Sequence, residues 1–282
     1  MAVPDQIFNI IDDLPQQYGG PTVQWHYAGT SRTYGVQVIW QSPEVETSIE
    51  YDINMVCAGL KDDEAVWRIS KNNYYTDNIK PEDTVEMLAI ACAAPCYPFE
   101  FTATKNGQIL SLLNVDRLKN RFTDAKSTLL RDFEGDIVLA YIAEMEAAIN
   151  QTQQLKKLVT ADIWISLFFA AILGTYNPQK TKPIILQLPC FGFEDPLSFK
   201  GIVSIGDPDF VNAAQALQIE AELDPSVSTQ NQTIIGGKLE AAYDIDIPGH
   251  QIRNISTHIS LTTIGGEKHI WLKGFLTAAD KT

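Results

Sequence analysis

The chain has 282 residues, 45% hydrophobic and 20% charged, the composition of a folded soluble protein that can bury a substantial core without disulfides or metals. Its formal charge of −14 excludes a nucleic-acid binder and docking on anionic lipid, because either polyanion would be repelled. Solubility, or a basic protein partner, accounts for the acidity.

The opening MAVPDQIFNIIDDLPQQYGG predicts a short helix or arm over residues 1–22. Asp5, Asp12 and Asp13 interrupt it, and no basic n-region precedes them, so no secretory leader is read there. Residues 23–282 are expected to form one domain. The pattern turns to period two in YGVQVIWQ, where Tyr34, Val36, Val38 and Trp40 face one way and Gln37 and Gln41 the other. SIEYDINMVC continues it, with Ile49, Tyr51, Ile53, Met55 and Cys57 alternating with Glu50, Asp52 and Asn54. Both read as half-buried antiparallel strands. AVWRI gives a third, and KNNYYTDNIKPED reads as irregular or edge structure. EMLAIACAAP, stopped by Pro95, is open between helix and strand.

FEFTATKNGQILSLLN predicts a hairpin, with Asn106 and Gly107 as the two left-handed residues of a type I′ turn. That turn pairs Ala103 with Leu110 and Phe101 with Leu112. Asn114 then caps a helix over VDRLKNRF. A longer helix is expected from about Lys126 to Leu158, with Leu130, Phe133, Ile137, Tyr141, Met145 and Ala148 as its apolar stripe. The apolar run 163–173 is about half the ~20 residues a membrane span needs, and reads as a buried helix. After Asn177 the β pattern returns in PIILQLPCFGF and LSFKGIVSIGD. DFVNAAQALQIEAEL reads as a helix, or a helix running into a strand, with Asp209 capping it from Phe210. KLEAAYDIDIPGHQI alternates cleanly and turns at Pro248 and Gly249. RNISTHISLTTIGGEKHIWLKGFL forms a hairpin about Gly265 and Gly266, which pairs Leu261 with Ile270 and Ile259 with Leu272.

Strands, helices, then strands, with one apolar face in each β block, predict an α+β fold. It is a curved antiparallel sheet, a half-barrel, wrapped around a central block of helices at about 114–176. The four cysteines (Cys57, Cys92, Cys96, Cys190) show no C-x-x-C pair and no neighbouring His, and read as free buried thiols. That places the chain in the cytoplasm, or in the periplasm if a leader has been removed. The sequons at Asn150, Asn231 and Asn254 carry no meaning in the former.

The progression of strands, then PFEFTATKNGQILSLLNVDRLKNRF, then helices, then TIIGGKLEAAYDIDIPGHQIRNISTHISLTTIGGEKHIWLKGFL resembles uncharacterised Bacteroidota-type proteins of the lipoprotein-carrier-like (LolA/LolB-like) half-barrel superfamily. The Asn-Gly turn leading into Asn114–Lys119 carries the likeness. It implies an 11-stranded type of curved sheet around helices, and a cavity for a hydrophobic ligand. Those carriers need a leader and a lipobox cysteine, neither of which is read in this sequence, and the helical block expected here is longer than theirs.

No nucleophile elbow, phosphate-binding loop or dinucleotide fingerprint occurs, and no cofactor or metal is expected. Glu240, Asp244 and Asp246 share a strand face without a calcium-loop pattern. Of four histidines (His26, His250, His258, His269), the expected hairpin register sets His258 and His269 four residues apart, roughly 13 Å and too far to share a metal. Trp271 on the same wet face makes His258, Thr262, His269 and Trp271 a candidate interaction surface. Trp40, Trp164, Phe168 and Phe169 are the candidate lining of a ligand cavity; these, with Trp25, Tyr27, Tyr34 and Trp67, otherwise serve as core. The reading is a non-catalytic binding protein that engages a hydrophobic small molecule or a protein partner through its sheet. The alternative is an acidic cytosolic accessory protein, such as a toxin-immunity protein or secretion-machinery subunit, that meets a basic partner.

Overall fold

The computed structural model describes residues 20–23, 29–61, 64–104, 106–190, 193, 195–209, 211–224, 234–247 and 251–277. The arm expected over 1–22 lies almost wholly outside them, as do Trp25, His26, Tyr27, Phe210, Asn231, the Pro248–Gly249 turn and His250.

Period-two burial shapes the strands. In β2 (Thr30–Gln41), Tyr34, Val36 and Val38 are buried; in β3 (Glu46–Lys61), Tyr51, Ile53, Met55 and Cys57 are. β4 (Glu64–Thr76) buries Trp67 and Ile69. It absorbs KNNYYT, expected to be irregular, by placing Asn73 at φ +54 where the register to β3 shifts between Asp52 and Glu50. α1 (Thr84–Ala93) is helical, started by Asp83, whose carboxylate accepts the Val85 N–H at 2.8 Å.

β5 (Phe99–Ala103) and β6 (Ile109–Leu112) form the expected hairpin, and Phe101 does pair with Leu112. Ala103 pairs with Ile109 instead of Leu110, because, of Asn106 and Gly107, just Gly107 (φ +90) is left-handed, so the pair does not make a type I′ turn. The expected long helix is three helices. α2 (Val115–Asp132) ends before Gly135 at φ +116, α3 (Asp136–Asn150) ends at extended Gln151, and α4 (Thr152–Thr160) follows. Each break resets the helical phase. The buried stripe is therefore Leu118, Phe122, Leu129, Val138, Ile142, Ile149, Leu155 and Val159, while the expected Leu130 and Ile137 are exposed. α5 (Ile163–Phe168) is short, but the whole run through Leu173 stays in the core apart from Ser166 and Ala171 at its margin.

The second β block runs β8 (Thr181–Leu188), β9 (Leu197–Asp209), β10 (Ala214–Leu223), β11 (Ile234–Asp246), β12 (Gln251–Thr263) and β13 (Gly266–Leu276). Among the described residues no helix follows Asp209. Its carboxylate accepts the Val211 and Asn212 N–H groups in a turn, and Leu217, Ile219 and Ala221 alternate inward along a strand. A small ladder, β1 (Thr22–Val23) with β7 (Gly174–Thr175), stands apart.

The eleven long strands make one antiparallel sheet in the order β6-β5-β4-β3-β2-β13-β12-β11-β10-β9-β8. β13 pairs with β2 (Leu272 with Val38, Ile270 with Trp40), so the two ends of the described chain meet at mid-sheet. The sheet is curved but not closed: β6 and β8 are free edges. One face shares a continuous apolar core with the helices, and the other is mostly polar, with isolated apolar residues such as Ile202 and Phe275 exposed on it. The fold is α+β, as the alternation implied.

Candidate functional site on the outward sheet face

The β12–β13 hairpin turns at Ile264 and Gly265, not at the two glycines. Gly266, at φ +111, is already the first residue of β13 and pairs with Thr263. The register therefore moves by two residues from the expected one. His258 opposes Trp271, and His269 opposes Ser260. Far from being held apart, His258 Nε2 and His269 Nδ1 lie 3.2 Å from one another. One of these nitrogens donates and the other accepts.

The three rings form a stack on the polar face. His258 lies 5.1 Å from Trp271 at an interplanar angle of 6°, His269 lies 5.3 Å from Trp271 at 27°, and the two imidazoles are 5.4 Å apart at 22°. His269 Nε2 sits 3.6 Å from Glu267. Thr262 is on the same face but two rungs along from His258, opposite Glu267, and does not join the stack. Beside the stack runs a groove of about 450 Å³, bordered by Glu220, Glu240, His258, Trp271 and Lys273, with small Ala242 and Ser256 among its lining residues. Among the described residues no group of three or more metal-ligating side chains converges. Asp246 is engaged by Arg253, and Asp244 opposes Asn254.

Glu220 escapes a reading of the sequence because DFVNAAQALQIEAEL reads there as helical. Its one signal is the alternation of Leu217, Ile219 and Ala221. Glu240 is legible as outward-facing, but its neighbours depend on register.

The aromatic residues expected to line a cavity lie on the opposite face. Trp164, Phe168 and Phe169 are buried and pack on one another and on sheet residues. Trp164 touches Tyr34 at 5.1 Å, Phe168 touches Trp67 at 5.7 Å, and Phe169 touches Phe101 at 5.3 Å. Trp40 is partly buried against the same core. A polar clamp holds this layer to the sheet. Asp162 caps α5 by accepting the Ile165 N–H at 2.9 Å, accepts the Tyr51 hydroxyl at 2.8 Å, and pairs with Lys71. Burial, reinforced by the Asp162 carboxylate, pushes the Tyr51 phenol well above its ordinary range, so it stays a donor.

No family model and no curated protein matches the chain. Among solved structures it is similar to lipovitellin, in a structure described by its lipid–protein interactions, at 15% identity and a TM-score of 0.49 over 88% of this chain. It spans only 25% of the lipovitellin chain. It is also similar to Rv2717c from M. tuberculosis (9% identity, TM-score 0.31, 89% of this chain and 93% of that one). A third likeness is to a protein domain described as outer membrane lipoprotein-sorting, from Vibrio parahaemolyticus (8% identity, TM-score 0.22, 88% and 86%). No helix among the described residues is long and apolar enough to cross a membrane.

Proposed function

We propose that this chain is a non-catalytic binding protein whose recognition surface is the outward face of the sheet, centred on His258, His269 and Trp271. The observation that carries the reading is the three-ring stack itself. A Trp and two imidazoles stand together on the outward face, with Ile39 opposite Trp271 and Glu240, Ser260 and Lys273 among the polar neighbours, flanked by a groove. Rigid aromatics with a polar rim are what anchor sites are built from. The opposite face is less suited to a free ligand, because Trp164, Phe168 and Phe169 already fill it.

The indole N–H resonance of Trp271, assigned by its disappearance in Trp271→Phe, tests this. Oleate, neutral oligosaccharides and basic peptides are added in turn. A ligand that moves the Trp271 signal while Trp164 stays put supports the surface reading. A ligand that moves Trp164 first, or lipid mass carried by the purified chain in native mass spectrometry, would replace it with carriage in the interior. If no ligand moves Trp271, the reading fails.

A further inference from the structure

One straight rung crosses six strands of the outward face: Ile202, Glu220, Glu240, His258, Trp271 and Ile39, each directly opposite the next. Within it two carboxylates, Glu220 and Glu240, oppose each other. Like charges in direct cross-strand register destabilise a sheet. Neither has a Lys or Arg within 4.0 Å among the described residues. The nearest lysines by register are Lys200 and Lys238, both of which oppose Glu222 from the strands on either side; Lys273, opposite Ser256, is one strand further from Glu240. The pair borders the groove. His258 stands between Glu240 and Trp271, opposite Glu240 on one side and stacked on Trp271 on the other.

Resting on the surface reading above, we infer that this rung is an arginine site: a guanidinium from a basic protein partner lies in the groove, stacks on His258 and bridges Glu220 and Glu240. The shape of the site favours that cation. A guanidinium is planar, is weakly hydrated, stacks on rings and presents a fork of donors to carboxylates. An ammonium offers a point charge and no plane. A calcium ion needs six or more oxygens, and only two carboxylates meet here. The chain's charge of −14 steers a basic partner toward the face, and the rung supplies the local choice.

The probe is a short fluorescein-labelled peptide of alternating Gly and Arg, with Lys and citrulline versions, titrated at about 150 mM salt to screen diffuse attraction. The Arg peptide is expected to bind, the Lys peptide about tenfold more weakly and the uncharged citrulline peptide not measurably. E220Q/E240Q is expected to weaken the Arg peptide about tenfold or more. The control D124N/E134Q removes two exposed carboxylates from the helical side and should change affinity less than about twofold. E220Q/E240Q should also unfold at a higher urea concentration than wild type, because the like-charge contact is gone, which rules out misfolding as the cause of lost binding. Equal losses in both variants, equal affinity for Arg and Lys peptides, or no Arg binding overturns the arginine site. If another ligand still moves the Trp271 resonance, the surface reading survives that result; if nothing does, both fall.

Discussion

Lys182 shows how a single group can set a pH dependence in this protein. It lies on the edge strand β8, with its ammonium hydrogen-bonded to the Leu173 carbonyl and 5.4 Å from the Tyr176 ring centroid. No carboxylate pairs with it among the described residues. Burial alone lowers it to about 8. An unfolded lysine titrates near ~10.4. Between about 8 and 10.4 the unfolded chain therefore binds more protons than the folded one, and the stability contribution of this group rises with pH across that window. Below about 8 the full cost of burying the charge is present. Lys182→Met should raise the urea midpoint at pH 7, and the gap to wild type should close as pH approaches 10. A gap that stays constant across that range would show that the ammonium is not the cause. The buried tyrosines and cysteines also titrate above pH 8, but they do so in both proteins and cancel in the comparison.

The elements differ in how far the sequence announces them. Strands with one wet and one apolar face, such as β2, β3 and β11, are legible because polar residues mark every second position. β10 is equally regular, but Asp209 and small alanines imitate a helix start, and the alternation of Leu217, Ile219 and Ala221 has to outweigh them. The helical stripe fails for a different reason: Gly135 and Gln151 interrupt the helix, and phase cannot be carried across a break. The aromatic stack shows the finest limit. Its members sit on a correctly read strand face, yet their contact depends on which residue of Ile264, Gly265 and Gly266 takes the positive φ, and a two-residue slip leaves the pattern of faces unchanged. α5 is six residues long, too short to persist alone, and its anchoring comes from outside the helix. Asp162 supplies the cap and the acceptor for Tyr51 and Lys71, three roles in one nearly buried carboxylate. Asp162→Ala should cost about 3–5 kcal/mol, because it leaves the Lys71 ammonium buried without its partner. Lys71→Met in that background should recover part of the loss. Urea titration of the three proteins measures both steps, and an additive double mutant would refute the clamp.

At the scale of the whole molecule, the topology makes a 282-residue chain depend on one seam. Strands from the two ends of the described chain, β2 and β13, are neighbours at mid-sheet, so neither half of the sheet has a complete set of ladder partners without the other. The helical block crosses the same seam from beneath. The Trp164 ring lies against Gly274 of β13 so closely that a β-carbon there would meet ring atom Cζ3 at 2.0 Å. Trp164 also packs on Tyr34 of β2, its ring tilted by 46° with centroids 5.1 Å apart, so one buried indole spans both strands of the junction. Gly274→Ala should therefore force the indole and the strand apart, at a cost of about 1–3 kcal/mol from overpacking alone. Gly206→Ala on β9, where the new carbon would meet its nearest neighbour at 3.5 Å, should be close to neutral and serves as the control. The location of the Gly274 lesion decides how it spreads. If the sheet and helices fold as one cooperative unit, unfolding of Gly274→Ala followed by hydrogen exchange at amides in β4 and in β10 should show the same shift to lower urea at both, although these strands lie on opposite sides of the seam. A shift confined to the β10 side would mean that the β8–β13 half folds as a separate unit and that the mid-sheet ladder is a docking contact between two bodies.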